Sequence, residues 1–290
     1  METQTRPVFK GKPLIEIPSV NPQIGFLEGD FGKAFLEEYQ GRVKADYNGN
    51  PALDVLRYNG KVVTGSNPFA VILANQILKQ EGLRTANQAD LEKALCLRID
   101  LRGTYEDTGL VLRSDKDPNA YLAKDSMKQV KARNKKQRMP VNLFLNNLAL
   151  RVDSASPQDL AFNLTDESEL IYASILAGEN NGKSFSETDK RTGLPTKLGE
   201  GSRVLYTRNS GLSRLYLDDG LNVGSDGAGL DGSNDYGRVV VVSAEGTTPE
   251  KLKSELLQGI NREYQAQVEE LNARKAEAER AVIGIMSRKK

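Results

Sequence analysis

Lys183 and Ser184 close the run Ala177-Gly178-Glu179-Asn180-Asn181-Gly182-Lys183-Ser184, a permissive phosphate-loop pattern with Ala in the first Gly place. In such a loop backbone N–H groups cradle phosphates, the Lys reaches the terminal oxygens and the Ser hydroxyl meets Mg²⁺. Residues 168–176 read as the strand that must precede it, and Leu215-Tyr216-Leu217-Asp218-Asp219 offers a metal-binding carboxylate. The motif also needs a helix whose N-terminus faces the phosphate. The residues after Ser184 are FSETDKRTGLPTKLGEG, with Gly193 and Pro195 close behind. No helix of useful length fits, and no crossover helices come later to build a parallel sheet. A polar loop between strands is therefore the stronger expectation.

A second cluster is acidic: Asp218, Asp219, Asn222, Asp226, Asp231, Ser233, Asn234 and Asp235 lie in a Gly-rich stretch. Carboxylates and amides on such a backbone suit hard cations, so a divalent cation is the one cofactor the sequence suggests. Asp231, Ser233 and Asp235 have the spacing that begins an EF-hand loop, but Tyr236 stands where Gly is needed and Val242 where the bidentate Glu belongs. Asp and Asn also populate turns for conformational reasons alone, and solvated turns are the default.

The third cluster is basic. Lys124, Lys128, Lys131, Arg133, Lys135, Lys136 and Arg138 stand against Asp125 alone, a local charge of +6 in a chain whose net charge is +1. Such a segment can meet the phosphates of nucleic acid or anionic lipid. No aromatic residue is interleaved, so the sequence does not point to base stacking. The competing reading is a solvated helix end whose cations complement the dipole.

Composition removes whole classes of chemistry. The chain has no His and a single Cys, which excludes Ser-His-Asp and Cys-His relays, HExxH sites, Cys-rich zinc sites and an internal disulfide. Cys96 sits in ALCLRI and reads as buried and inert. Asp100, Arg102, Tyr105, Glu106 and Asp107 form one compact ionisable cluster at expected strand ends. Paired carboxylates can do acid–base work, but turn chemistry explains these equally well, and no residue is assigned a catalytic role. Hydrophobic residues at 38% and charged residues at 27% fit a soluble globular chain. The N-terminus METQTRPVFKGKP has no apolar signal core, and the longest apolar run, Phe69 to Ala74, falls far short of the roughly 20 residues of a membrane span. With one unpaired Cys, these features point to a cytoplasmic setting.

The elements that must position these groups emerge from local signals. Pro7, Pro13, Pro18 and Pro22 mark residues 1–27 as an extended arm. Phe31, Phe35 and Tyr39 predict a helix over 28–42, and Asn59-Gly60 predicts a hairpin between strands at 52–58 and 61–64. Ser66-Asn67-Pro68 should cap a buried helix running to Leu78 and stopping near Gly82. Thr85 and Gln88 fit a capping box for a helix through Leu95. Strands are expected at 97–102, 109–113, 141–152, 159–164, 168–176, 203–208, 212–217 and 238–243, with a helix from Asp117-Pro118 to about Asn134. Residues 178–246 hold 13 of the 26 glycines.

From Pro249 to Ser287 only Gly259 and Gly284 interrupt a helical pattern roughly 60 Å long. Its apolar stripe passes through Tyr264, Val268, Leu271, Val282 and Ile285, the expected partner-binding residues.

The stretch SRLYLDDGLNVGSDGAGLDGSNDYGRVVVVS, residues 213–243, resembles a segment of predicted archaeal proteins of unknown function. It carries an LY pair, a Gly/Asp spacer and a GRVVVVS strand. The resemblance implies an archaeal origin and transfers no catalytic residue.

The expected fold is α+β, with antiparallel sheet and segregated helices. Its parts are an arm (1–27), an α/β body (28–176), a Gly-rich β region (177–247) and a long C-terminal helix (248–290). The leading functional reading is a non-enzymatic binding or assembly protein that meets a protein partner or its own copy through the arm and the terminal helix. The alternatives are a phosphate- or nucleic-acid-binding protein using 124–138 or Lys183, and a carboxylate- and metal-dependent hydrolase.

Overall fold

Two short strands, β1 (Val8–Phe9) and β2 (Lys12–Pro13), pair antiparallel within the Pro-rich stretch. The computed structural model describes these four residues, residues 24–233 and 235–243, and Lys275. The chain divides into two units, Met1–Glu245 and Gly246–Lys290. Within the second only Lys275 is described, and it is helical. The long helix expected over 248–290, with Tyr264, Val268, Leu271, Val282 and Ile285, lies outside the described residues, as does most of the arm.

β3 (Ile24–Phe26) leads into α1 (Gly29–Tyr47), which is longer than the expected 28–42. Phe31, Phe35, Tyr39 and Val43 recur every four residues and are all buried, so one stripe docks the helix. Asn48 closes it in the left-handed conformation with φ 53°. The Asn59-Gly60 hairpin forms, but its strands β4 (Arg57–Tyr58) and β5 (Val63–Thr64) are short. Asn59 Oδ1 accepts from the amides of Lys61 and Val62, which closes the loop.

α2 (Pro68–Leu78) begins as expected, with Asn67 Oδ1 capping the Ala70 amide at 2.8 Å and Pro68 at the first position. Every residue of it except Gln76 is buried, which makes it the centre of the main core beside α1. After β6 (Leu83–Thr85), α3 (Gln88–Cys96) opens on a capping box made by Asn87 and Asp90 instead of Thr85 and Gln88.

The strand expected at 97–102 does not form. Arg98 takes φ 63° and the chain turns, leaving Leu97 48% exposed. β7 (Glu106–Leu112) is buried along its length. α4 (Ala120–Arg133) comes next. The single strand expected over 141–152 is two, β8 (Val141–Phe144) and β9 (Leu148–Val152), separated by a 3₁₀ turn. β10 (Leu160–Leu164) pairs with β9. The remaining strands are β11 (Ile171–Tyr172), β12 (Lys183–Phe185), β13 (Arg203–Tyr206), β14 (Leu212–Leu217), β15 (Val223–Gly224) and β16 (Val240–Ser243).

Seven of these form one sheet in the order β11-β8-β7-β14-β15-β13-β12. Its pairs are antiparallel except β13 with β15, which run parallel. Strands from 28–176 and from 177–247 thus share one sheet, joined where β7 meets β14. A second antiparallel sheet has the order β3-β16-β6. The fold is α+β with antiparallel sheets. Among the described residues no helix is long and apolar enough to cross a membrane.

Candidate binding site between the strand ends

β7 and β14 lie side by side, with Tyr216 opposite Asp107 and Leu217 opposite Glu106. Successive side chains of a strand point to opposite faces, so Arg214 and Tyr216 share the face that carries Tyr105 and Asp107. The Tyr105 and Tyr216 rings stack with centroids 4.7 Å apart. The Tyr105 amide donates to the Tyr236 carbonyl, and the turn at 235–236 brings a third segment to the same place. Tyr105, Tyr206, Tyr216 and Tyr236, with Asp218, Asp219 and Asp226, line a cavity of about 340 Å³.

Beneath Tyr105 lies a buried ion pair. Arg214 approaches Asp107 at 3.5 Å, and its guanidinium stands 5.6 Å from the Tyr105 ring centroid. Asp107 Oδ2 accepts from the Ser66 hydroxyl at 2.8 Å, and Arg214 also donates to the carbonyls of Gly229 and Gly232. Burial raises the Asp107 pKa above its ordinary value, while Arg214 and Ser66 favour the charged form. Burial works against the Arg214 charge, but Asp107 and Tyr105 outweigh it and raise its pKa.

Tyr216 donates to Asp226 Oδ1 at 2.7 Å. Its phenol pKa is pushed up by burial and then by Asp226, and that of Tyr105 by burial and then by Asp107. Both phenols therefore stay neutral and offer rings and O–H groups, not phenolates. Tyr216 fits because Gly224 and Gly227 lie beside it: a Cβ on Gly224 would stand 2.1 Å from Tyr216 Cζ, and one on Gly227 3.0 Å from Arg214 Cγ. Asp218 shapes the turn, its Oδ1 accepting from the amides of Gly220 and Asn222.

The acidic cluster read from the sequence thus divides. Asp218, Asp219 and Asp226 reach the pocket, whereas Asp231 and Asp235 are not among its lining residues. Asp231 and Asp235 use backbone carbonyls to hold Asn67 and Arg238. Among the described residues no group of three or more His, Cys, Asp or Glu side chains could hold a metal ion.

The phosphate-loop reading is overturned. Residues 178–180 form a 3₁₀ turn, and Lys183 and Ser184 lie in β12, paired with β13, where a helix N-terminus would be needed. Lys183 Nζ is held by Asn180 Oδ1 at 3.0 Å. Cys96 is exposed, not buried, because α3 turns Leu91 and Ala94 inward and leaves its last residue toward solvent. Of the ionisable cluster at 100–107, Asp100 caps the Arg102 amide, Tyr105 enters the pocket, and Glu106 and Asp107 are buried.

Sequence reasoning did not single out Tyr206, Tyr216 or Tyr236 as site residues. One signal was present: Arg214, Tyr216 and Asp218 alternate along a strand, and Tyr206 ends the strand before it. The chain matches no protein-family model, no curated protein and no solved structure.

Proposed function

We propose that this protein is a non-enzymatic binding protein whose pocket at Tyr105, Tyr206, Tyr216 and Tyr236 takes a small organic cation, an amine or alkylated ammonium group. The observation that carries this reading is the lining itself. Four tyrosines and three aspartates converge on one cavity of about 340 Å³, and among the described residues no Lys or Arg lines it. Aromatic faces attract cations by about 0.5–2 kcal/mol each, depending on desolvation. The carboxylates add charge complementarity; the Arg214 guanidinium already faces Asp107, and Arg208 is held by the Asp226 carbonyl. Assembly through the arm and through residues 248–290 is carried forward on the sequence pattern alone.

The test is calorimetric titration of the full chain with choline, and with 3,3-dimethylbutanol as its uncharged counterpart. Choline should bind and the alcohol should not. Tyr206→Ala and Asp226→Asn should each weaken choline about tenfold, a change of about 1.4 kcal/mol. Equal binding of the alcohol would remove the cationic requirement. Saturable Ca²⁺ or Mg²⁺ binding without choline binding would return the site to the metal reading.

A further inference from the structure

α4 carries a charged face that the pocket does not use. Lys124, Lys128 and Lys131 are spaced by four and three residues, which places them on one side of the helix. Leu122, Ala123, Ser126 and Val130 are buried on the other side. Lys135 and Lys136 continue the stripe in the loop after the helix, and all five lysines are exposed. That loop is held by side chains: Asn134 Oδ1 accepts from the Lys136 amide, and Asn134 Nδ2 donates to Gln137 Oε1.

The stripe keeps its charge. Among the described residues, none of the five lysines is in an ion pair. The one acid within the run, Asp125, is bound by Arg151 at 3.1 Å and by Gln129 at 2.9 Å. Arg133 donates to the carbonyls of Thr165 and Ser168, which anchors the helix end. In that neighbouring turn Glu167 pairs with Lys79 and Glu169 with Arg191, leaving Asp166 as its acid without an ion pair among the described residues.

The end of the stripe holds what the local sequence lacks. Tyr172, from β11, lies under Arg138 with the guanidinium 4.1 Å from the ring centroid, and Arg138 Nη2 donates to its hydroxyl at 2.9 Å. Tyr172 is 37% exposed. A planar guanidinium on a planar phenol, open to solvent, is a surface on which a base can stack.

We propose that α4 and the Arg138–Tyr172 pair bind single-stranded nucleic acid, with the backbone along the lysines and a base on the pair. From Lys124 to Lys131 the stripe covers about 10 Å at 1.5 Å per residue, and Lys135 and Lys136 extend it past the helix end. A bilayer surface fits less well, because membrane-binding helices pair their cations with exposed Leu, Phe or Trp. Here Leu122 and Val130 of α4 are buried, Met127 packs partly against the core, and the one exposed large ring, Tyr121, donates its hydroxyl to Asp153. A duplex hides its base faces, which would leave the stacked pair unused. The proposal is independent of the cation pocket.

The test is fluorescence anisotropy of the full chain with a labelled 12-nucleotide oligo(dT), against a duplex of equal length and vesicles of phosphatidylserine and phosphatidylcholine. The single strand should bind more tightly than the duplex, with a log–log salt slope of about −3.5 if five phosphates are neutralised. Lys128→Gln with Lys131→Gln and Lys135→Gln should reduce that slope by about 2. Tyr172→Leu should weaken the single strand about fivefold or more and spare the duplex, while Tyr172→Phe keeps most of the affinity. Circular dichroism of each variant confirms the fold. Equal affinity for duplex and single strand, indifference to Tyr172→Leu, stronger binding to vesicles, or no binding at low salt would each overturn the proposal.

Discussion

Glu106 and Asp107 are neighbours on β7, equally deep, and they face opposite sides of the sheet. On the pocket side Asp107 meets Arg214 and Ser66, and its charge is answered within hydrogen-bonding or ion-pair distance. Glu106 lines a small cavity with Val71, Leu91, Val239 and Val240, where Thr85 and Arg238 are the polar neighbours, and its Oε1 has no hydrogen-bond partner among the described residues. Burial pushes its pKa well above the ordinary carboxylate range, against smaller opposing contributions from Thr104 and Arg238. The difference shows that burial alone does not decide the fate of a carboxylate. A partner supplied by a strand more than 100 residues away keeps the Asp107 charge in place, and the apolar face favours the neutral form of Glu106.

The largest effect should come from removing that partner. Arg214→Met leaves Asp107 buried beside no cation, and breaking a buried pair on one side costs about 3–5 kcal/mol. Urea unfolding at pH 7 measures it. A loss below about 1 kcal/mol would mean that Ser66 suffices and that the two faces differ less than the geometry indicates.

A smaller loss is expected from Gly224→Ala, which drives a methyl into the Tyr216 ring. Overpacking of this kind costs about 1–3 kcal/mol. The same variant should displace Tyr216 and weaken choline. If both stability and choline affinity hold, Tyr216 is not fixed by the close approach of β15.

Glu106→Gln sharpens the comparison through pH. The folded protein holds the Glu106 proton more tightly than the unfolded chain, so the wild type should lose stability as pH rises above the ordinary Glu pKa of about 4.3 and stop losing it above the raised folded value. The variant cannot lose that proton. It should match the wild type near pH 4 and be the more stable of the two at pH 7, read as melting temperature across the range. A constant offset at every pH would contradict the neutral reading of Glu106.

The smallest expected change is from Tyr216→Phe, which keeps the ring and removes the bond to Asp226. Its cost in stability should be about 1 kcal/mol or less, because the hydroxyl lies at a partly open site. A larger cost would show that the pocket face carries more of the fold's stability than the ion pair beneath it.

Much of the local structure was legible in the sequence. Asn67 and Pro68 announced the start of α2, and Phe31, Phe35 and Tyr39 announced the buried stripe of α1, because caps and helical periodicity act over a few residues. The segment LRIDLR alternates as a strand does, yet it forms the frayed end of α3 and a turn. Six residues of alternation do not specify a partner strand, and none pairs with them there. The basic run was legible as a charge, but not the aromatic residue that completes it, since Tyr172 arrives from another strand.

By itself, then, the sequence determined the α+β class, the start of α2, the Asn59-Gly60 hairpin and the exclusion of His-based and disulfide chemistry. These depend on residue type and on neighbours within about one turn or one hairpin. The tertiary structure alone decided that Asp218, Asp219 and Asp226 would leave Asp231 and Asp235 behind and gather with Tyr105, Tyr206, Tyr216 and Tyr236. That gathering rests on β7 pairing with β14, on the parallel pairing of β13 with β15, and on Tyr236 reaching the Tyr105 amide. Pairings over such separations are selected by burial of the whole sheet, a collective quantity that no local pattern encodes.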